Sequence, residues 1–176
     1  MVHGGGAMEP TALNYSALSI QLTEHEATRL RPYDDATGEE LRPGDTLRGK
    51  ITIGIGRNLS DRGISGAESH IFLANDIKGT VADLDRNLPN WRRLDEIRQR
   101  VLTDMVFNLG ISRFLGFTRM LQALSQALAQ GPQGDYARVG DEMKDSDWYR
   151  QVGKRGKRLV LMMDTGAPVA LGDVRL

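Results

Sequence analysis

Three carboxylates stand close together in the first quarter of the sequence: Glu26, within ALSIQLTEHEATRL, and Asp34 and Asp35, in the turn-rich segment that follows. The first stretch puts Leu18, Leu22, Ala27 and Leu30 on one face of a helix and Glu24, Glu26 and Arg29 off it. Pro32 sets the end of that helix near Leu30 or Arg31. Next, KITIGIGRNL alternates Ile51, Ile53 and Ile55 with Thr52, Gly54 and Gly56. One strand face is therefore apolar, and the other is small enough for a ligand to come near the backbone. A helix end facing a small sheet makes a cleft, and two carboxyls across a cleft suit hydrolysis of a glycosidic bond. One protonates the leaving oxygen while the other organises water or the developing cation. Spacing alone leaves this beside a commoner arrangement, in which helix Glu and turn Asp are solvated surface residues.

The elements that must hold these groups are an N-terminal helix, a small sheet and a long helical remainder. Residues 1–16 read as a flexible lead-in or linker, and residues 17–176 as one domain with an N-terminal lobe over 17–90 and a helical lobe over 91–176. Ser65 with Glu68 forms a capping box for a helix over about 66–77, with Ile71, Ala74 and Ile77 or Phe72 inward. Thr80 to Leu88 is a second helix or its continuation. Leu94, Ile97, Val101, Leu102, Met105, Val106 and Leu109 form a 3.6-period stripe ended by Gly110. A helix through Phe114 to Leu128, a short one over Tyr136 to Met143 and a terminal one in WYRQVGKRGKRLVLMM complete an α+β fold. Trp91 and Trp148 read as core.

Composition narrows the chemistry. The chain has 176 residues, no cysteine, and 23 Lys+Arg against 23 Asp+Glu, for a formal charge of zero. Thiol chemistry and Cys-ligated metals are excluded, and a surface wholly given to nucleic acid is disfavoured. His3, His25 and His70 are too scattered for a metal set, so neither metal nor cofactor is expected. No stretch of the sequence reads as a secretory signal or a membrane span, so stable membrane insertion is not expected. Arg150, Lys154, Arg155, Lys157 and Arg158 form a local basic run suited to an anionic polymer or to a solvated helix face.

The order of motifs adds what spacing cannot. EATRLRPYDD from Glu26 to Asp35, TIGIGR from Thr52 to Arg57, DMVFNLG from Asp104 to Gly110, GFT from Gly116 to Thr118 and SDWYRQVGKRGKR from Ser146 to Arg158 together resemble the phage-type, T4-like lysozymes, a muramidase family. The likeness covers about residues 18–166. It implies a lysozyme-like α+β fold and hydrolysis, with inversion, of the β-1,4 bond between N-acetylmuramic acid and N-acetylglucosamine. Glu26 would be the general acid, Asp35 the carboxylate that positions water, and Thr52 the hydroxyl that holds this water; Thr52 could instead bond the backbone and favour the strand. Tyr33, Gly56, Phe107 and Asn108 would line the substrate site, although Asn108 could instead bond a neighbouring backbone group.

Ala27 replaces the glycine that usually follows the catalytic Glu, Arg57 stands in place of a histidine, and Asp147 in place of an arginine. A segment over 36–50 lengthens the turn before Thr52 by about a dozen residues relative to the shortest relatives, as a lip or a solvated loop. The resemblance implies bacterial peptidoglycan as partner, a monomer, and residence in the host cytoplasm before release by a holin-type pore, or association with a virion tail. A binding-only module and a lytic transglycosylase are the rival readings; reducing ends and a 1,6-anhydro product tell them apart.

Overall fold

The computed structural model describes residues 13–26 and 28–174. Ala27 and most of the expected lead-in lie outside that range. The chain divides into two compact units between Ser69 and His70, whereas the lobes were expected to divide after residue 90.

The first unit carries helix α1 (Tyr15–His25), strands β1 (Arg29–Asp34), β2 (Ile51–Gly54) and β3 (Arg57–Asn58), and one helical turn, α2 (Leu59–Arg62). The three strands form one antiparallel sheet in the order β1-β2-β3. Asn14 caps α1, its side chain accepting the Ala17 amide at 3.0 Å. The helix stops five or six residues earlier than Pro32 implied. Glu26 is its extended C-cap (φ −102°, ψ 124°), and Arg29–Asp34 turns its backbone to β2, pairing Arg29 with Gly54, Tyr33 with Thr52 and Asp34 with Ile51. Pairing across the sheet takes the backbone groups that a longer helix would have used internally. No residue of α1 is buried, so the expected inward face of Leu18 and Leu22 is not built. Ile55 leaves the strand for the β2–β3 turn and is 45% exposed.

Helix α3 (Gly66–Asn87) is one helix of 22 residues, not two. Its capping box forms as expected: Ser65 N donates to Glu68 Oε2 at 2.6 Å and Glu68 N to Ser65 Oγ at 3.2 Å. Gly79 is tolerated mid-helix, and the break comes only at Leu88–Pro89. Burial begins late, at Thr80 and Leu84; Ile71, Phe72 and Ile77, expected inward, are 59%, 52% and 41% exposed.

The second unit is helical. After a 3₁₀ turn at Trp91–Arg93 come α4 (Glu96–Leu109), α5 (Ile111–Leu115), α6 (Thr118–Ala129), α7 (Tyr136–Lys144), α8 (Asp147–Val152) and α9 (Lys154–Thr165). The 3.6-period stripe is realised on α4, where Val101, Leu102, Met105 and Val106 are buried and Gly110 closes the helix at φ +75°. The segments expected as single helices over 114–128 and 148–163 are each broken, at Gly116–Phe117 and at Gly153. Trp91 and Trp148 are core, 2% and 5% exposed. Among the described residues, no helix is long and apolar enough to cross a membrane.

Arg98 ties the start of α4 to the end of α9. It donates to Met163 O at 2.7 Å and Asp164 O at 3.0 Å while stacking on Tyr136 at 3.8 Å. Asp85 holds the turn after α3, accepting Trp91 Nε1 at 2.8 Å and two Arg92 nitrogens at 2.8 Å. These partners, Arg92 first, push its carboxyl down to about 2. Its stabilising contribution is full above the ordinary value of 3.8 and is lost as pH falls toward about 2. Asp85→Asn keeps an acceptor for Trp91 and does not titrate. The fall in melting temperature across that acid window should therefore be shallower in the variant than in the parent; parallel curves would take Asp85 out of acid unfolding.

Candidate active site

The small sheet owes its character to alternation. Cross-strand partners share a face, so Thr52 stands with Tyr33 on one side and Asn58 on the other. Thr52 is 5% exposed, and its hydroxyl has no hydrogen-bond partner among the described residues. Beyond Thr52, Gly54 ends β2 and Gly56 stands in the β2–β3 turn, so neither puts a side chain over that end of the strand.

Glu26 fills part of that space. A side chain at Gly56 would place its Cβ 3.5 Å from Glu26 Oε2 and 3.6 Å from Cδ, so the carboxyl lies against the glycine backbone. Gly56 is also at φ +65°, a conformation that a residue with a Cβ rarely adopts. Glu26 itself is fixed through its backbone: as the α1 C-cap, its N–H donates to Leu22 O at 2.9 Å. Its side chain is exposed, with no hydrogen bond or ion pair to another described residue. Glu26 and Gly56 are thus brought together, at the glycine end of β2.

The two adjacent aspartates part at the other end. Asp34 is 2% exposed. Its Oδ2 accepts Arg48 N at 2.6 Å, and its Oδ1 accepts Gly49 N at 2.9 Å and Ala36 N at 3.0 Å. Those amides, Arg48's first, hold its carboxyl below the usual carboxylate range. Asp35 is exposed, and its Oδ1 accepts Lys50 N at 2.6 Å. Asp35 is the turn residue that follows β1, and its carboxylate sits against the Gly49–Lys50 end of the 36–50 loop, one amide beyond those that Asp34 binds. That loop folds back on β1: Tyr33 bridges to Glu40, Leu41 N donates to Pro32 O at 2.9 Å, and Asp34 N to Glu39 O at 3.0 Å. Tyr33 is half-buried beneath the Arg29 guanidinium, 4.0 Å from its ring.

Phe107 and Asn108 lie on α4, in the second unit. Phe107 is 44% exposed. Asn108 Oδ1 accepts Trp148 Nε1 at 2.9 Å, and Trp148 meets Phe117 edge to face at 6.2 Å. Asn108 therefore bonds an indole forty residues away, not the neighbouring backbone weighed as its structural alternative. Arg57 pairs with Glu68 at 3.2 Å and Gly63 O at 3.0 Å, anchoring the start of α3. The basic run is largely committed to structure: Arg150 to Asp147, Arg155 to Asp104 at 2.8 Å, and Arg158 to Val169 O at 2.6 Å. Among the described residues, no group of three or more His, Asp and Glu could hold a metal ion.

Two residues escaped sequence reasoning. Asp34 was noted only as a turn carboxylate, and Gly49 not at all. A Cβ on Gly49 would collide with Asp35 Oδ1 and come within 2.7 Å of Ala36 Cβ and 2.8 Å of Ala36 N. Only the pairing of residues fourteen and fifteen apart reveals either role, and a linear pattern carries no such signal.

Comparison with known proteins identifies the family. The family model for phage lysozyme matches residues 23–161. A probable T4-type lysozyme of Dictyostelium discoideum is 26% identical over 164 residues, covering 76% of this chain and 91% of that protein. The pre-baseplate central spike protein Gp5 of Enterobacteria phage T4 is 24% identical over 171 residues, and the match covers 85% of this chain but 28% of the spike protein. Glu26, the glycine turn, Thr52 and the helices through Asp147–Val152 all fall inside the matched span, and the chain belongs to the phage lysozyme family.

Proposed function

We propose that this protein is a muramidase that hydrolyses the β-1,4 bond between N-acetylmuramic acid and N-acetylglucosamine with inversion at the anomeric carbon. One observation supports the reading: the Glu26 carboxyl lies against Gly56 just beyond one end of β2, the Asp35 carboxyl is held by the Lys50 amide just before the other, and the buried Thr52 stands on the strand between those two ends. Glu26 is the general acid to the leaving oxygen. Asp35, held by the Lys50 amide, positions and activates water, and the buried Thr52 hydroxyl offers that water a hydrogen bond. Tyr33 and Gly56 line the sugar path beside them. On α4, in the second unit, Phe107 is exposed and Asn108 is held in orientation by its bond to Trp148. Inversion needs carboxyls about 6.5–9.5 Å apart with water between them.

The likeness to a phage spike protein is compatible with a virion-associated setting, and the likeness to a T4-type lysozyme over 91% of its length with a free enzyme. The test is mass analysis of peptidoglycan after incubation with the protein. New reducing muramic acid ends are expected. A 1,6-anhydro product would assign a lytic transglycosylase, and saturable wall binding with no new ends would assign a binding module.

A further inference from the structure

We propose that the 36–50 loop is a positioning device for Asp35, worked by two residues that touch no substrate: Asp34, which gathers the loop, and Gly49, which leaves the space that the Asp35 carboxylate occupies. The inference rests on the reading of Asp35 as the water-positioning carboxylate. A loop of this length has many conformations, and the two exposed bonds between Asp35 and Lys50 are too weak to select among them. Asp34 supplies the selection. Its buried carboxylate binds Ala36 N at the start of the loop and Arg48 N and Gly49 N at its end, so both ends close on one side chain. The next amide along, Lys50 N, is thereby delivered to Asp35 Oδ1 at 2.6 Å, while Asp35 N returns a bond to Lys50 O at 3.0 Å.

Gly49 is the steric half of the device. Its missing Cβ would overlap Asp35 Oδ1 and crowd Ala36, and the obstacle includes the Ala36 backbone nitrogen, which cannot rotate away. Any side chain there must push the Asp35 carboxylate off the Lys50 amide or open the loop. Asp34→Asn acts from the other side: three amides need acceptors, and the Asn amide group offers one oxygen and presents hydrogens where the second oxygen was.

The test is a double-mutant cycle on the full chain, with kcat and KM measured on soluble glycan fragments and folding followed by thermal melts. A misplacement of about 1 Å can cost roughly 100-fold in turnover. Gly49→Ala is expected to lower kcat by about 10- to 100-fold and Asp34→Asn by about 10-fold, each with KM within about 3-fold of the parent. Adding Gly49→Ala to Asp35→Asn should cost nothing further, because the group it displaces is already disabled. The inference is overturned if Asp35→Asn is inactive while folded Gly49→Ala and Asp34→Asn turn over normally, or if the double variant shows the product of the single losses. Normal turnover by Asp35→Asn would instead overturn the assignment of Asp35, and this inference with it.

Discussion

Glu26→Gln will fold normally and fail to open peptidoglycan, with a rate about 1,000-fold below the parent, within the span that a general acid contributes. The structure separates the two outcomes because the residue's structural duty is in its backbone. As C-cap of α1 it donates its N–H to Leu22 O, a bond glutamine makes equally. Its side chain is exposed and bonded to no other described residue, so removing the charge orphans nothing. Glutamine also has the same number of heavy atoms, so it lies against Gly56 as the carboxyl does, where a longer or branched residue would not. What it lacks is the proton that the leaving oxygen must receive. Lysis of wall suspensions and counts of reducing ends measure the activity, and the melting temperature measures the fold. A folded variant with the parent's rate would remove Glu26 from the chemistry; a variant melting several degrees lower would show that the carboxylate holds structure as well.

The sequence displays some of this and hides the rest for identifiable reasons. Features set by near neighbours are legible: Ser65 and Glu68 are three apart and cap each other, Gly110 ends α4, and Val101, Leu102, Met105 and Val106 face inward at helical spacing. Features set by distant partners are not. Pro32 suggested a helix through Leu30, but a strand ladder with Ile51–Gly54 claims Arg29–Asp34 first. Asp34 and Asp35 are indistinguishable as letters; the one, last residue of β1, is buried under three amides, and the other, first residue of the turn, is exposed and accepts one. Of the five cations near the C-terminus, Arg155 and Arg158 are taken by Asp104 and the Val169 carbonyl, partners that a linear run of charges does not display.

The sheet unit and the helical unit are stabilised differently, and this sets the largest effect expected on folding. Among the described residues of the first unit only Asp34 and Thr52 are buried, whereas the buried apolar side chains belong to the second. Phe114 is the bulkiest of those with essentially no exposure. It sits on α5, a helix of five residues between Gly110 and Gly116, too short to persist by its own hydrogen bonds. The ring of Phe114, with the half-buried Ile111 and Leu115 beside it, is thus the main anchor of α5 in the core that includes Val101, Leu102, Met105, Met120 and Leu124. Truncation to alanine loses the transfer energy of the ring and leaves a cavity that fixed helices close only in part, costing about 3–5 kcal/mol. Domains of this kind have about 5–15 kcal/mol in total, so Phe114→Ala should be the most destabilising of the substitutions proposed. Urea unfolding followed by tryptophan fluorescence measures it, since Trp91 and Trp148 report on the same core. A loss under about 1 kcal/mol would mean that the site collapses around the missing ring, and that α5 is held by its glycine-bounded backbone instead.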